Sequence, residues 1–209
     1  MQPSEGDFQA KVNSPASSTD STSSSQLRSA SMLLQSLSSN AVGRQSDIPS
    51  QVLGILAANG KEVTSVTSTY FRTIDVWLPI IAPSTCMKRL ANVGTEDVGL
   101  SCLLLCMYLA TQAPSAGDFG MEVQSTTYFQ AKMLHTSLIA AGKSSRDIIQ
   151  AGVLVSLYEQ GHGMIEAAQL TIAVCTRMAT KVKLSLRTES NIQNTEFGRL
   201  WWGILILDR

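Results

Sequence analysis

The sequence predicts an all-α protein of about seven or eight helices packed as antiparallel helical hairpins, led by a disordered Ser-rich N-terminal tail. Three observations carry this. Apolar residues recur at helical spacing in segment after segment between residues 45 and 209. No segment shows the period of two expected of a half-buried strand, and no βαβ pattern is present. Residues 1–31 are polar and Ser/Thr-rich, with SPASSTDSTSSS at 14–25. Such composition buries too little apolar surface to offset the entropy of ordering. The chain therefore divides into a disordered tail or linker over 1–44 and a helical body over 45–209. Ser14-Pro15 is a candidate phosphorylation site within the tail.

Taken in order, residues 32–37 read as a short helix. Asp47 precedes Ile48-Pro49, and proline is tolerated in a first turn. That helix runs to Ala58, where Asn59-Gly60 stops it. Val63, Val66, Tyr70, Phe71 and Ile74 keep helical spacing up to Trp77, and Pro79 ends the element. Ser84 caps a short helix through Leu90. Thr95 or Glu96 opens the next, with Leu100, Leu103, Leu104, Met107 and Tyr108 at helical spacing. Residues 112–120 read as a loop. A helix over 122–141 carries Tyr128, Phe129, Ala131, Met133, Leu134, Leu138 and Ile139, with Gly142 at its end.

The stretch 144–183 is the predicted centre, two helices joined by a tight glycine turn. Ser144 stands three residues before Asp147, a capping-box-like start with an acid near the positive end of the helix. Residues 148–158 are nearly all apolar or small, with Gln150 and Ser156 the main exceptions, as expected of a helix enclosed on several sides. Gly161 and Gly163 end it. In the second helix Ala168, Ile172, Cys175, Ala179 and Val182 form one apolar stripe, with Glu166, Gln169, Thr176, Thr180 and Lys183 opposite. Ala151, Gly152, Ala167, Ala168 and Ala173 are small enough for close backbone approach. Residues 184–195 read as a polar connection, and Glu196 then opens an apolar segment over 200–207.

Composition narrows the chemistry. The 16 basic and 16 acidic residues cancel, and no run of Lys or Arg stands out, so the chain lacks the basic patch of a module that grips nucleic-acid phosphate. The four cysteines are Cys86, Cys102, Cys106 and Cys175. None forms a C-x-x-C pair; they read as buried reduced thiols, consistent with a reducing compartment. There is no signal for secretion, and the longest uncharged stretch, 98–117, is broken by Ser101, Gln112, Pro114 and Ser115. Its apolar part is shorter than the ~20 residues of a membrane span, so the expectation is a soluble intracellular protein.

No catalytic, cofactor-binding or metal-ligating residues are predicted. His135 lies mid-helix among apolar residues and reads as a core histidine. His162, between two glycines, reads as a turn residue or surface contact. Gly161-His162-Gly163 follows a helix and lacks a third glycine, so it is no dinucleotide loop. Asp208 and Arg209 read as structural charges. Trp201 and Trp202 point about 100° apart on a helix, so one can enter the core while the other meets something else.

Six stretches occur in a telling order: YFRTIDVWLPII (70–81), CLLLCMYLATQ (102–112), YFQAKMLHTSLIAAG (128–142), IIQAGVLVSLYEQGHG (148–163), AAQLTIAVCTRMA (167–179) and LWWGILILDR (200–209). Together they resemble the regulatory middle homology domain of fungal zinc-cluster transcription factors, over residues 45–209. The resemblance implies a helical domain, a nuclear location and regulation of RNA polymerase II transcription. Members of that family carry a six-cysteine binuclear zinc cluster that binds DNA, often as a homodimer. That cluster is absent from this sequence, so zinc and DNA are expected only through a module outside it.

The sequence departs from the family pattern at Asp75, where histidine is common, at Phe197-Gly198, where arginine is common, and at Lys183, where glycine is frequent. These departures are expected on a surface or cap. The chain also ends before such a domain normally does. That predicts an incomplete core, with Leu205-Ile206-Leu207 lacking partner helices. The functional expectation is a non-enzymatic regulatory domain that responds to a small-molecule effector or a co-regulator protein. The alternative is a stand-alone helical interaction module that titrates full-length factors.

Overall fold

The computed structural model describes residues 47–91, 97–112, 126–185 and 191–209. Among them are eight helices: α1 (Ile48–Ala58), α2 (Val63–Thr73), α3 (Pro83–Ala91), α4 (Val98–Ala110), α5 (Thr126–Ala140), α6 (Arg146–Gly161), α7 (Ile165–Ser185) and α8 (Asn191–Leu207). No strand occurs among the described residues. The tail over 1–44, the 32–37 helix and most of the 112–120 loop lie outside the described residues.

Two helices are enclosed by the others. In α4 every residue from Leu100 to Leu109 is buried, and in α6 every residue from Asp147 to Ser156. The two pack on each other although residues 111–145 separate them in sequence. α7 packs on α6, α1 and α2 rest on α4, α5 spans α4 and α6, and α8 lies against α6 and α7. The hairpin of α6 and α7 is as expected, but α4 shares the centre with it. A run such as Leu103-Leu104-Leu105 leaves no polar face to turn to water, so it needs neighbours all round.

The stops are built by glycines with positive φ. Gly60 (φ 64°) follows α1, and Gly163 (φ 74°) follows α6. At Gly163 the amide bonds to the Gln160 carbonyl (3.1 Å) and the next amide, of Met164, to that of Glu159 (2.8 Å). This is the Schellman arrangement, which satisfies carbonyls that the helix end leaves over. α1 begins and ends where the sequence placed it.

Several expected details differ. The cap of α6 is Ser145, not Ser144: its hydroxyl accepts from the Ile148 amide at 3.4 Å. The cap of α4 is Asp97, whose carboxylate accepts from the Leu100 amide at 3.0 Å, while Thr95 and Glu96 lie outside the described residues. α3 begins at Pro83 rather than behind a Ser84 cap. The expected connection over 184–195 is shorter, because α7 reaches Ser185 and α8 starts at Asn191. Polar residues at helix ends read like loop, because apolar spacing marks a helix's interior better than its termini.

Close backbone approach occurs at two glycines. A Cβ at Gly152 would overlap Cys175 Sγ of α7 and lie 2.7 Å from His135 Nε2 of α5. A Cβ at Gly203 would overlap the Ile80 side chain. Ala151 and Ala168 are buried with Gly152, but Ala173 is exposed and takes no part. Phe197, expected on a surface or cap, is buried. Leu207, expected to lack partners, is buried too, and its carbonyl accepts from Gln160 Nε2 at 2.7 Å. Leu205 and Ile206 are exposed.

The tryptophan pair divides as helical geometry requires. Trp201 packs against the core and Trp202 is 66% exposed. Trp201→Ala should therefore destabilise the fold by about 2–3 kcal/mol, and Trp202→Ala by about 0.5 kcal/mol or less. Urea unfolding of the two variants side by side checks this; equal losses would contradict the division.

Candidate functional site

The polar residues that the apolar pattern of α6 left as exceptions are what tie this helix to its neighbours. Gln150 Nε2 donates to the Ile80 carbonyl at 2.7 Å, and Ser156 Oγ to the Ala168 carbonyl at 3.1 Å. Both side chains are buried. Each bond joins α6 to a different part of the chain, so neither residue interrupts the core; each fixes a neighbour's position.

Glu159 is the chief polar residue that sequence reasoning did not single out. Its side chain is 0% exposed. Lys132 Nζ of α5 donates to Oε1 at 2.6 Å, Tyr128 Oη donates to the same oxygen at 2.7 Å, and Thr171 Oγ1 of α7 donates to Oε2 at 2.7 Å. Lys132 also reaches the Thr171 hydroxyl. One carboxylate thus joins α5, α6 and α7. Burial, then the Glu159 carboxylate, push the Tyr128 phenol well above its ordinary range. Tyr128 stacks on Tyr158 with centroids 5.4 Å apart, and Tyr158 stacks on His162 at 3.7 Å. His162 Nδ1 bonds the Tyr158 carbonyl at 2.8 Å, so this histidine finishes the turn. The signal in the sequence was the Tyr158-Glu159 pair ending an otherwise apolar helix.

A second clamp lies at the other end of α6. Arg89 of α3 reaches both oxygens of Asp147, Nη1 to Oδ1 and Nη2 to Oδ2, each at 2.8 Å. Its Nη2 also reaches Asp97 Oδ2 at 2.6 Å. A planar fork on a carboxylate is the geometry arginine provides and lysine does not. Hydrogen bonding to Asp147 raises the Arg89 guanidinium further, against its burial. Burial pushes the Asp97 carboxyl up, but the Leu100 amide and Arg89 outweigh it and hold it below the usual carboxylate range. Asp97 therefore caps α4 and anchors α3 at once. Beside it, Arg146 pairs with Glu196 and ties α6 to α8.

His135 is 2% exposed, with Nε2 3.0 Å from the Ile148 carbonyl. Burial lowers its pKa to about 4, the Ile148 bond opposing. All four cysteines are buried free thiols. Burial raises Cys86 to about 11 and Cys175 to about 12, so neither is a ready nucleophile. Asp75, where the family pattern has histidine, is half-buried; burial raises its carboxyl and Arg199 opposes. Among the described residues no three His, Cys, Asp or Glu side chains are grouped to hold a metal ion. Among the same residues no helix is long and apolar enough to cross a membrane.

One cleft of about 380 Å³ lies between α1, α2, α3 and α4. Val52, Leu53, Met87, Leu90, Leu100 and Leu104 supply half of its lining residues. A second, more polar depression lies where α2 meets the end of α4, between Lys61 and Tyr108.

Two outcomes follow from these contacts. Lys132→Met strands a fully buried carboxylate and should cost about 3–5 kcal/mol, whereas a Lys132→Met, Glu159→Met double replacement should recover most of that loss. Chemical denaturation of the single and double variants decides it; no recovery in the double variant would refute the pairing argument. His135 has a folded pKa below its unfolded value, so its contribution is present above about pH 6.5 and is lost as pH falls toward 4. Between pH 7 and pH 5 the loss from this group should be about 2 kcal/mol. A His135→Gln variant should show a correspondingly flatter profile, and an unchanged profile would show that His135 does not set the pH dependence.

Residues 67–209 match the family described as the fungal specific transcription factor domain. A stretch of 125 residues is 30% identical to the protein named transcription factor BOA15 of Botryotinia fuckeliana (strain B05.10), covering 59% of this chain and 68% of that protein. No solved structure matches. The six motif stretches, the helices that carry them and the match over 67–209 agree, and the chain belongs to the fungal specific transcription factor domain family.

Proposed function

We propose that residues 45–209 form the regulatory body of a nuclear transcription factor that controls RNA polymerase II transcription. DNA is contacted in this reading by a zinc-cluster module outside these 209 residues. The observation that carries the reading is the family match over 67–209. The charge balance supports the division of labour, because 16 basic and 16 acidic residues leave no excess to neutralise phosphate.

The body acts by binding rather than catalysis. A small-molecule effector or a co-regulator protein favours one arrangement of the helices over another, and the DNA-binding or activating parts respond. The clamps suit that role. Arg89 and Arg146 join α3 and α8 to the rigid α4–α6 centre through ion pairs at the edge of the core. Such contacts can exchange between two arrangements more readily than interlocked apolar packing can.

Fusing the full chain to an unrelated DNA-binding domain tests the reading. Reporter output should change several-fold with metabolite conditions. A reporter that ignores the fusion under every condition would overturn it.

A further inference from the structure

We propose that the cleft between α1, α2, α3 and α4 binds an uncharged, largely hydrocarbon small molecule that carries a hydrogen-bond donor, and that this is the effector site of the regulatory body. The assignment as effector site rests on the functional reading above; the binding itself does not.

Size comes first. The cleft, about 380 Å³ in volume, lies within the range of about 300–1,000 Å³ usual for small-ligand sites. Its wall sets the chemistry. Of its twelve lining residues, none is ionisable and nine are aliphatic, proline or methionine. A charged ligand would lose its water there and gain no counter-charge.

The three remaining residues, Thr64, Thr67 and Ser101, narrow the choice further. Thr67 Oγ1 donates to the Val63 carbonyl at 2.9 Å, and Ser101 Oγ to the Asp97 carbonyl at 3.0 Å. Thr64 Oγ1 faces the Glu62 carboxylate at 3.5 Å. The Thr67 and Ser101 hydrogens are engaged by carbonyls of their own helix or next to it, whereas the long, exposed Thr64 contact holds its hydroxyl only weakly. What the two engaged oxygens offer is lone pairs, so a donor is the polar group that matches them. At the rim Leu53 and Met87 are 43% and 48% exposed. Methionine adapts its shape to irregular ligands at little cost.

The same wall leads to the clamp. Helix α3 gives Met87, Leu90 and Ala91 to the cleft, while Arg89 on this helix holds Asp97 and Asp147. A ligand that shifts α3 therefore acts on the ion pairs that fix it to α4 and α6. That is a physical route from an occupied cleft to the centre of the body.

The full chain should be titrated with N-phenyl-1-naphthylamine, a neutral aromatic with an N–H donor. A parallel titration uses 8-anilinonaphthalene-1-sulfonate, which adds a sulfonate to the same ring system. The neutral probe should saturate with one-to-one stoichiometry and bind at least about tenfold more tightly than the sulfonate. Leu53→Trp and Met87→Trp, which fill the mouth from opposite sides, should each weaken it by about tenfold or more. Val174→Trp, on the outer face of α7, should leave it unchanged. Circular dichroism melting confirms which rim variants are folded, and the folded ones are read. No saturation by the neutral probe, equal binding of the sulfonate, or equal loss in Val174→Trp overturns the site. If the probe binds at the cleft but the fused reporter ignores it, the site stands and its effector role falls. If the reporter responds to metabolites equally well with Leu53→Trp, the regulatory reading stands and the cleft is not its effector site.

Discussion

Helix α6 has almost no contact with water along its length, and the structure depends on how that is made tolerable. A helix in that position satisfies its own backbone, but any polar side chain it carries must find a partner on a neighbour or destabilise the fold. α6 carries Asp147, Gln150, Ser156 and Glu159 into the interior. Each finds its partner on another element: α3 for Asp147, the 78–81 segment for Gln150, α7 for Ser156, and both α5 and α7 for Glu159. Apolar packing brings these helices together without direction, and the polar matches fix which surfaces meet.

The placement of charge follows the same logic. Lys132 and Arg89 keep their side chains about a third exposed while their partners Glu159 and Asp147 are at or near full burial. A long cation on a flexible stem reaches inward with its charge and leaves its remaining surface in water. Much of the desolvation thus falls on the carboxylates, and each receives several donors in return. An arrangement of this kind adds little net stability, since apolar groups of similar shape would often be tolerated in its place. For a regulatory body that is an advantage. Ion pairs at the edge of the core exchange more readily than the interlocked α4–α6 packing.

The cleft and the Arg89 clamp lie on opposite faces of α3, a short helix of nine residues with Cys86 its buried anchor. A short element held by few buried groups moves at lower cost than a fully enclosed one. α4 and α6, enclosed on all sides, have no comparable freedom. The contrast between the enclosed α4 and α6 and the less buried α3 is therefore set by burial.

The sequence by itself determined the class, the order of the helices and several of their ends. Val63, Val66 and Tyr70 define a buried face by spacing alone, and Asn59-Gly60 and Gly163 stop helices because few residues but glycine take positive φ cheaply. The stripe of Ala168, Ile172, Cys175 and Ala179 was legible for the same reason. Of the candidate site little could be read. Periodicity reports which face of a helix is apolar; it carries no information on which other helix that face meets. Only the tertiary structure decided that α4 would share the centre with α6, that Glu159 would be enclosed by residues 27 and 31 positions before it and 12 after it, and that four helices would leave a cleft between them. Those are contacts between residues far apart in the chain, fixed by packing in three dimensions, where spacing along the chain says nothing.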